Sequence, residues 1–272
     1  LGYASSPASD VTTRIRAFLN ETHRELLTLP GMDRLRDGVT TFASVASTAT
    51  YALPQAIAKV KFIRETTNDI PLNEWDLTRY RMTDPDPSAN SGTPEAWVNL
   101  GFAAVATQPS NASEIFVDST SASDTGTCYV EVVRTGGYRR TLSVTMTGTT
   151  AVSLSAAITD VIEITRFYLS VAAVGTVTLH EDASGGTELA RIPIGATNAK
   201  YLLIALEPTP SAVITYSVDY QRVIDDLANA NDEPLLPEDF HDLIKLGARK
   251  KEYEKRDDSR YASVAKEYAD RE

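Results

Sequence analysis

Between Gly101 and Ala199 the helical signal almost vanishes, and what replaces it constrains the fold more than any other feature of the 272 residues. Short strand-like runs alternate with turns: SEIFVDS, TCYVEVVR, YRRTLSVTMT, AVSLS, VIEITRFYLSVA, GTVTLHE and ELARIPI. Apolar residues recur at every second position, at Leu142, Val144 and Met146 and again at Val177 and Leu179. Side chains two apart share a sheet face, so these positions are expected to line a core between two sheets. Some seven strands in a stretch of about a hundred residues is the usual size of an immunoglobulin-like sandwich, although no Cys pair or buried-Trp signature accompanies it.

The flanks read differently. From Asp10 to Leu29, Val11, Ile15, Phe18, Leu19, Thr22 and Leu26 recur at spacings of three and four, which predicts an amphipathic helix. Ser9 or Asp10 can cap its free N–H groups, and Pro30-Gly31 ends the pattern. Short strands are expected from Val39, including IAKVKFIRE with Ile57, Val60, Phe62 and Ile63. A helical turn follows around Trp75, and then the turn-rich loop DPDPSANSGTP. Beyond the central block come the strands KYLLIALEP and AVITYSVDYQRVI, joined by a turn at EPTPS. LLPEDFHDLIKLGARKKEYEKRDD then begins a helix with Pro237 in its first turn, acidic Glu238 and Asp239 beside it, and Phe240, Leu243, Ile244 and Ala248 on one face. The chain closes helically through Tyr261, Val264, Ala265 and Tyr268, after a break near Asp258. The expected fold class is α+β: a discontinuous helical domain with short strands, residues 1–100 and 200–272, interrupted by an all-β immunoglobulin-like sandwich insert over 101–199. Insertions of this kind survive at exposed loop tips.

Chemistry is sparse along the chain. His23, His180 and His241 lack a second His or Cys at ligand spacing, so none reads as a metal ligand, and the two on helices, His23 and His241, read as surface or helix-face residues. No nucleophile elbow, phosphate-binding loop, dinucleotide fingerprint or zinc-protease motif occurs, so no catalytic residue and no cofactor is expected. Asp84 with Asp86, and the cluster Asp225, Asp226, Asp232 and Glu233, read as solvated loops, with a bound cation as the sharper alternative. Cys128, the single cysteine, reads as a small apolar filler in a strand. The run Arg249, Lys250, Lys251, Lys255 and Arg256 reads as a solvated face with pairs such as Glu252 and Arg256, or as an electrostatic dock for an acidic neighbouring subunit. A net charge of −11 makes a poor grip for nucleic acid, because phosphate binding is driven by Lys and Arg. No run approaches a membrane span, and LGYASSPASD lacks the basic and apolar regions of a signal peptide; with Leu first in place of Met, residues can precede it in the encoded chain.

The order of elements outside the central block resembles the adaptor proteins, also called gatekeeper or head-completion proteins, of tailed-phage head-to-tail connectors. The resembling stretches are RIRAFLNETHRELLTLPG, YALPQAIAKVKFI, LNEWDLTRYR followed by SGTPEAWVNLG, YLLIALEPTPSAVITYSVDYQRVI, and LPEDFHDLIKLGARKKEYE. The insert departs from a minimal adaptor. The resemblance implies a structural virion protein that forms a ring, usually of twelve copies, beneath the portal protein and receives the tail's nozzle or tube proteins, with DNA passing through without specific binding. It implies assembly in the host cytoplasm, residence at the head–tail interface of the virion, and no membrane. Carried over by segment, the ring-packing helix would present Phe240, Leu243, Ile244, Arg249, Lys250 and Arg256. The portal-docking tail, from about Asp257 to Glu272, would present Asp257, Arg260, Tyr261, Val264 and Tyr268. The insert is expected to face outward toward fibres, capsid or tail proteins. The alternative reading is a carbohydrate- or protein-binding β-sandwich module of a tail appendage or adhesin.

Overall fold

The predicted opening helix, α1, occupies Ser9–Thr28 in a computed structural model that describes residues 9–86, 89–110, 113–154, 158–182, 186–227 and 231–271. The loop DPDPSANSGTP is therefore described only outside Pro87 and Ser88, and the run AVSLS only up to Leu154. The chain forms two units: one takes residues up to Gly38 together with those from Gln221 onward, and the other takes Val39–Tyr220.

In the helical unit, α1 buries its C-terminal half, through Thr22, His23, Leu26 and Leu27. These side chains join Leu236, Leu243, Ile244, Leu246, Tyr253, Val264 and Tyr268 in one core. The later residues come from two further helices, α3 (His241–Lys255) and α4 (Tyr261–Ala269). Pro237 precedes a single 3₁₀ turn, Glu238–Phe240, that leads into α3.

The larger unit is built from sheets. Strand Tyr201–Glu207 runs between Ala96–Ala103 and Thr50–Ala52, with Asn73–Trp75 beyond Ala96–Ala103. Its sequence YLLIALE is apolar almost throughout because both faces are covered. Leu202, Ile204 and Leu206 share a core with Trp97 and with Ile57, Val60, Ile63, Tyr216 and Val218 of a second four-stranded sheet. That sheet runs Asp37–Ala43, Thr215–Arg222, Ile57–Glu65, Ile70–Pro71. On the other side, Val98 and Ala205 meet Tyr80 of the short helix α2 (Leu77–Thr83). Asp76 caps α2 by accepting the Arg79 N–H at 2.9 Å, so the expected helical turn begins just after Trp75, which itself closes a strand.

The seven strand-like runs of the central block form a three-stranded sheet (Arg139–Thr145, Thr127–Arg134, Val161–Leu169) and a four-stranded one (Val152–Ser153, Ile115–Ser119, Val177–Glu181, Glu188–Ile192). Leu142, Met146, Val177 and Leu179 are buried between them, as is Cys128, whose thiol is pushed up to about 12 by burial alone.

The fold class departs from the expectation. The chain is 38% strand and 23% helix, spread over several small sheets, and is not a helical adaptor domain carrying an immunoglobulin-like insert. Residues from Val39 to Leu100 and from Lys200 to Tyr220, expected to accompany the helices, supply most of two four-stranded sheets instead. The central block is also not walled off from them. Tyr201 belongs to its core with Ala52 packed alongside, the Tyr201 hydroxyl accepts the Arg191 N–H at 2.7 Å, and Gln55 donates to the Arg191 carbonyl at 2.6 Å. The physical reason is that neighbouring sheets extend one apolar layer through shared strands, and residue periodicity does not reveal where such a layer stops.

Candidate functional site

The candidate surface lies on the helical unit, whose three long helices are joined at a few specific points. Glu252 of α3 is 1% exposed and is held bidentately by Arg14 of α1, whose Nε and Nη2 donate at 2.9 and 3.0 Å. Glu252 therefore answers Arg14, distant in sequence, a partner that i,i+4 spacing does not suggest. Lys251 reaches Glu21 and Glu25 of α1 at 3.0 and 2.7 Å. Burial would lower its pKa, but the two carboxylates outweigh this and raise it. Gly247 permits a close crossing, since a Cβ there would lie 2.3 Å from Thr22 Cγ2 and 2.9 Å from Tyr268 Cε2.

Between α3 and α4 the chain reverses at Asp257, which takes a left-handed φ of 52°. Asp258 then organises the start of α4: its carboxylate accepts the Arg260 N–H at 3.0 Å and the Arg260 guanidinium at 2.9 and 2.7 Å. The guanidinium bond holds the Asp258 carboxyl well below the usual range. Arg260 also lies over the Tyr253 ring, 4.5 Å from its centroid.

The structure sorts the eleven named candidates into two groups. Leu243, Ile244, Val264 and Tyr268 are buried in the unit's own core, with Phe240 and Tyr261 packed half-buried against it. Arg249, Arg256, Asp257 and Arg260 are exposed, and Lys250 is half-buried with its Nζ over the Tyr268 ring at 4.8 Å. Arg249 sits 5.9 Å from the Tyr253 ring. Glu272 lies outside the described residues.

A cleft of about 650 Å³ opens on the same unit, walled by Ile15, Leu19, Leu227, Pro234 and Ile244 and rimmed by Arg16, Asp232, His241 and Lys245. Beside it, the Nε2 of buried His23 accepts the Leu235 N–H at 3.3 Å, and the Nε2 of His241 bonds the Leu236 carbonyl at 2.9 Å. Burial first, then the charge of Arg24, keeps His23 below its ordinary pKa, against an opposing pull from Asp226. His23 and His241 thus hold the segment that enters α3. In the larger unit, His180 pairs with Asp118 at 3.2 Å. Among the described residues, no group of three or more His, Cys, Asp or Glu side chains is placed to hold a metal, and no helix is long and apolar enough to cross a membrane.

Two pairings stand out among the buried acids that sequence reasoning missed. One is Glu252 with Arg14. The other is Asp84, 7% exposed, with Glu207. No local pattern signals either pairing, because each joins residues brought together only by tertiary packing.

Residues 124–272 match the model of a family described as SU10 adaptor protein. The matched stretch includes α3 and α4 and also most of the central block that was expected to depart from an adaptor, while α1 lies outside it. No curated protein and no solved structure matches the chain.

Proposed function

We propose, from the premise that the chain belongs to the SU10 adaptor protein family, that this phage adaptor-type protein is a ring-forming structural subunit joining the portal to the tail. No bond is made or broken in this role. The family match over α3 and α4 carries the reading. Exposed Arg249, Arg256, Asp257 and Arg260 support it, because they stand on helices already anchored from within by Leu243, Ile244, Val264 and Tyr268. A preorganised charged face of this kind docks without first being ordered.

A closed ring requires that one patch of each subunit meet a different patch on the next. With a net charge of −11 on each copy, a lumen lined by this chain repels DNA and leaves it free to slide. The protein then resides in the virion at the head–tail interface after assembly in the host cytoplasm.

Mixing the purified chain with isolated portal and imaging the product by electron microscopy tests the reading. A ring seated on the portal is expected. A chain that stays monomeric and ignores the portal at every concentration tried sinks it.

A further inference from the structure

In the larger unit, two carboxylates are buried against each other. Asp84 closes α2, its N–H bonded to the Tyr80 carbonyl at 2.9 Å, and Glu207 ends the central strand Tyr201–Glu207. They are 7% and 3% exposed, and no N–H or O–H of another residue reaches Asp84 Oδ2 or Glu207 Oε2. The other Glu207 oxygen, Oε1, accepts from Asn90 Nδ2 at 2.8 Å. Tyr80 of α2 faces both carboxylates, and among the described residues no Lys, Arg or His is paired with either.

Two carboxylates cannot both stay ionised at such burial without a compensating charge, since desolvation and mutual repulsion act in the same direction. A single proton between the two unpartnered oxygens satisfies both at once. We infer that Asp84 and Glu207 share one proton, and that this pair is a pH-sensitive joint tying α2 to the central strand. The inference is independent of the adaptor reading.

The surrounding bonds give the joint its reach. The Asn90 carbonyl accepts the Thr209 N–H at 3.0 Å, and Ser91–Gly92 pairs in parallel with Thr209–Pro210. The Glu207 carbonyl accepts the Glu95 N–H at 2.8 Å. Losing the proton therefore leaves uncompensated charge at a point where α2, the central strand and the small parallel sheet meet.

Burial, then the bond and charge of Asp84, push Glu207 up to about 7 from its ordinary 4.5, against the lowering effect of Asn90. The folded chain thus keeps a proton that the unfolded chain has released. The stability this gives is complete below pH 4.5 and disappears as pH rises through about 7.

Calorimetry of the full chain in parallel with Glu207→Gln and Asp84→Asn tests this. Either amide supplies a permanent donor to the remaining carboxylate. Wild type should lose on the order of 5 °C in the melting of its larger unit between pH 6 and pH 9 relative to either amide variant. Infrared spectra of wild type should show a buried protonated carboxyl at pH 6 that fades by pH 9, a readout that stands even where an amide variant fails to fold. Equal pH slopes in wild type and a folded variant overturn the shared proton, as does the absence of that infrared band. Stabilisation of wild type alone by millimolar Ca²⁺ at pH 6 also overturns it, because the pair would then hold a cation.

Discussion

The two units bury acidic side chains by different means. In the helical unit, Glu252 is neutralised by a cation from another helix, Arg14. In the larger unit, Asp124 and Glu181, both 4% exposed, are held by N–H and O–H donors. Asp124 accepts from Ser119 Oγ at 2.5 Å and from the N–H groups of Val174 and Gly175 at 2.8 Å. Glu181 accepts from the Ser110 N–H and hydroxyl and from Ser113 Oγ at 2.6 Å. The difference follows from the backbone. In the middle of a helix every N–H is already bonded four residues back, so a buried acid there must find a charged side chain. Loops at strand ends leave N–H groups free to converge on a carboxylate.

Substitutions can break or sharpen this contrast. Arg14→Ala should cost most, about 4 kcal/mol, because it takes a bidentate guanidinium from a buried carboxylate, and chemical denaturation of the full chain measures it. Asp124→Ala should cost about 3 kcal/mol in the larger unit, since the buried Gly175 N–H, the part-buried Val174 N–H and the Ser119 hydroxyl lose their acceptor. The pH dependence of the same site has a definite sign. Burial alone would raise Asp124, but the bonds from Ser119, Val174 and Gly175 outweigh it and hold the carboxyl below its ordinary 3.8. Its stabilisation is therefore full above pH 3.8 and fades as pH falls through the lower, folded-state value, so Asp124→Ala should flatten the acid side of the larger unit's melting profile.

Gly247→Ala probes packing in place of charge. The added methyl meets Thr22 and Tyr268, and overpacking of this kind costs about 2 kcal/mol. A double substitution with Thr22→Ser, which removes the methyl at 2.3 Å, should recover part of the loss. The smallest effect is a gain: Asp257→Gly should stabilise the α3–α4 turn by about 0.5–1 kcal/mol, because glycine accepts a φ of 52° without the steric cost that a Cβ brings. A loss at that position would mean that the Asp257 side chain holds the turn.

The elements were more legible than their grouping. Each of the seven runs in the central block falls on a strand, and the pattern from Asp10 to Leu29 falls on α1, because alternation and 3.6-residue periodicity are local properties. The assignment of Val39–Leu100 to a helical domain failed, since short strands such as Thr50–Ala52 and Asn73–Trp75 show their membership only through the strands they pair with. At the candidate surface the sequence located the two closing helices but did not separate inward from outward residues on the last one. Val264 and Tyr268 were expected on a docking tail and are in the core.

By itself, then, the sequence determined the opening and closing helices, the seven strands of the central block, the strongly acidic balance, and membership of an adaptor family. The tertiary structure alone decided which strands share a sheet, that Glu252 answers Arg14, and that Asp84 meets Glu207. Each of these pairings is set by a free energy that exists only when distant residues exclude water together, and no window of neighbouring residues contains that information.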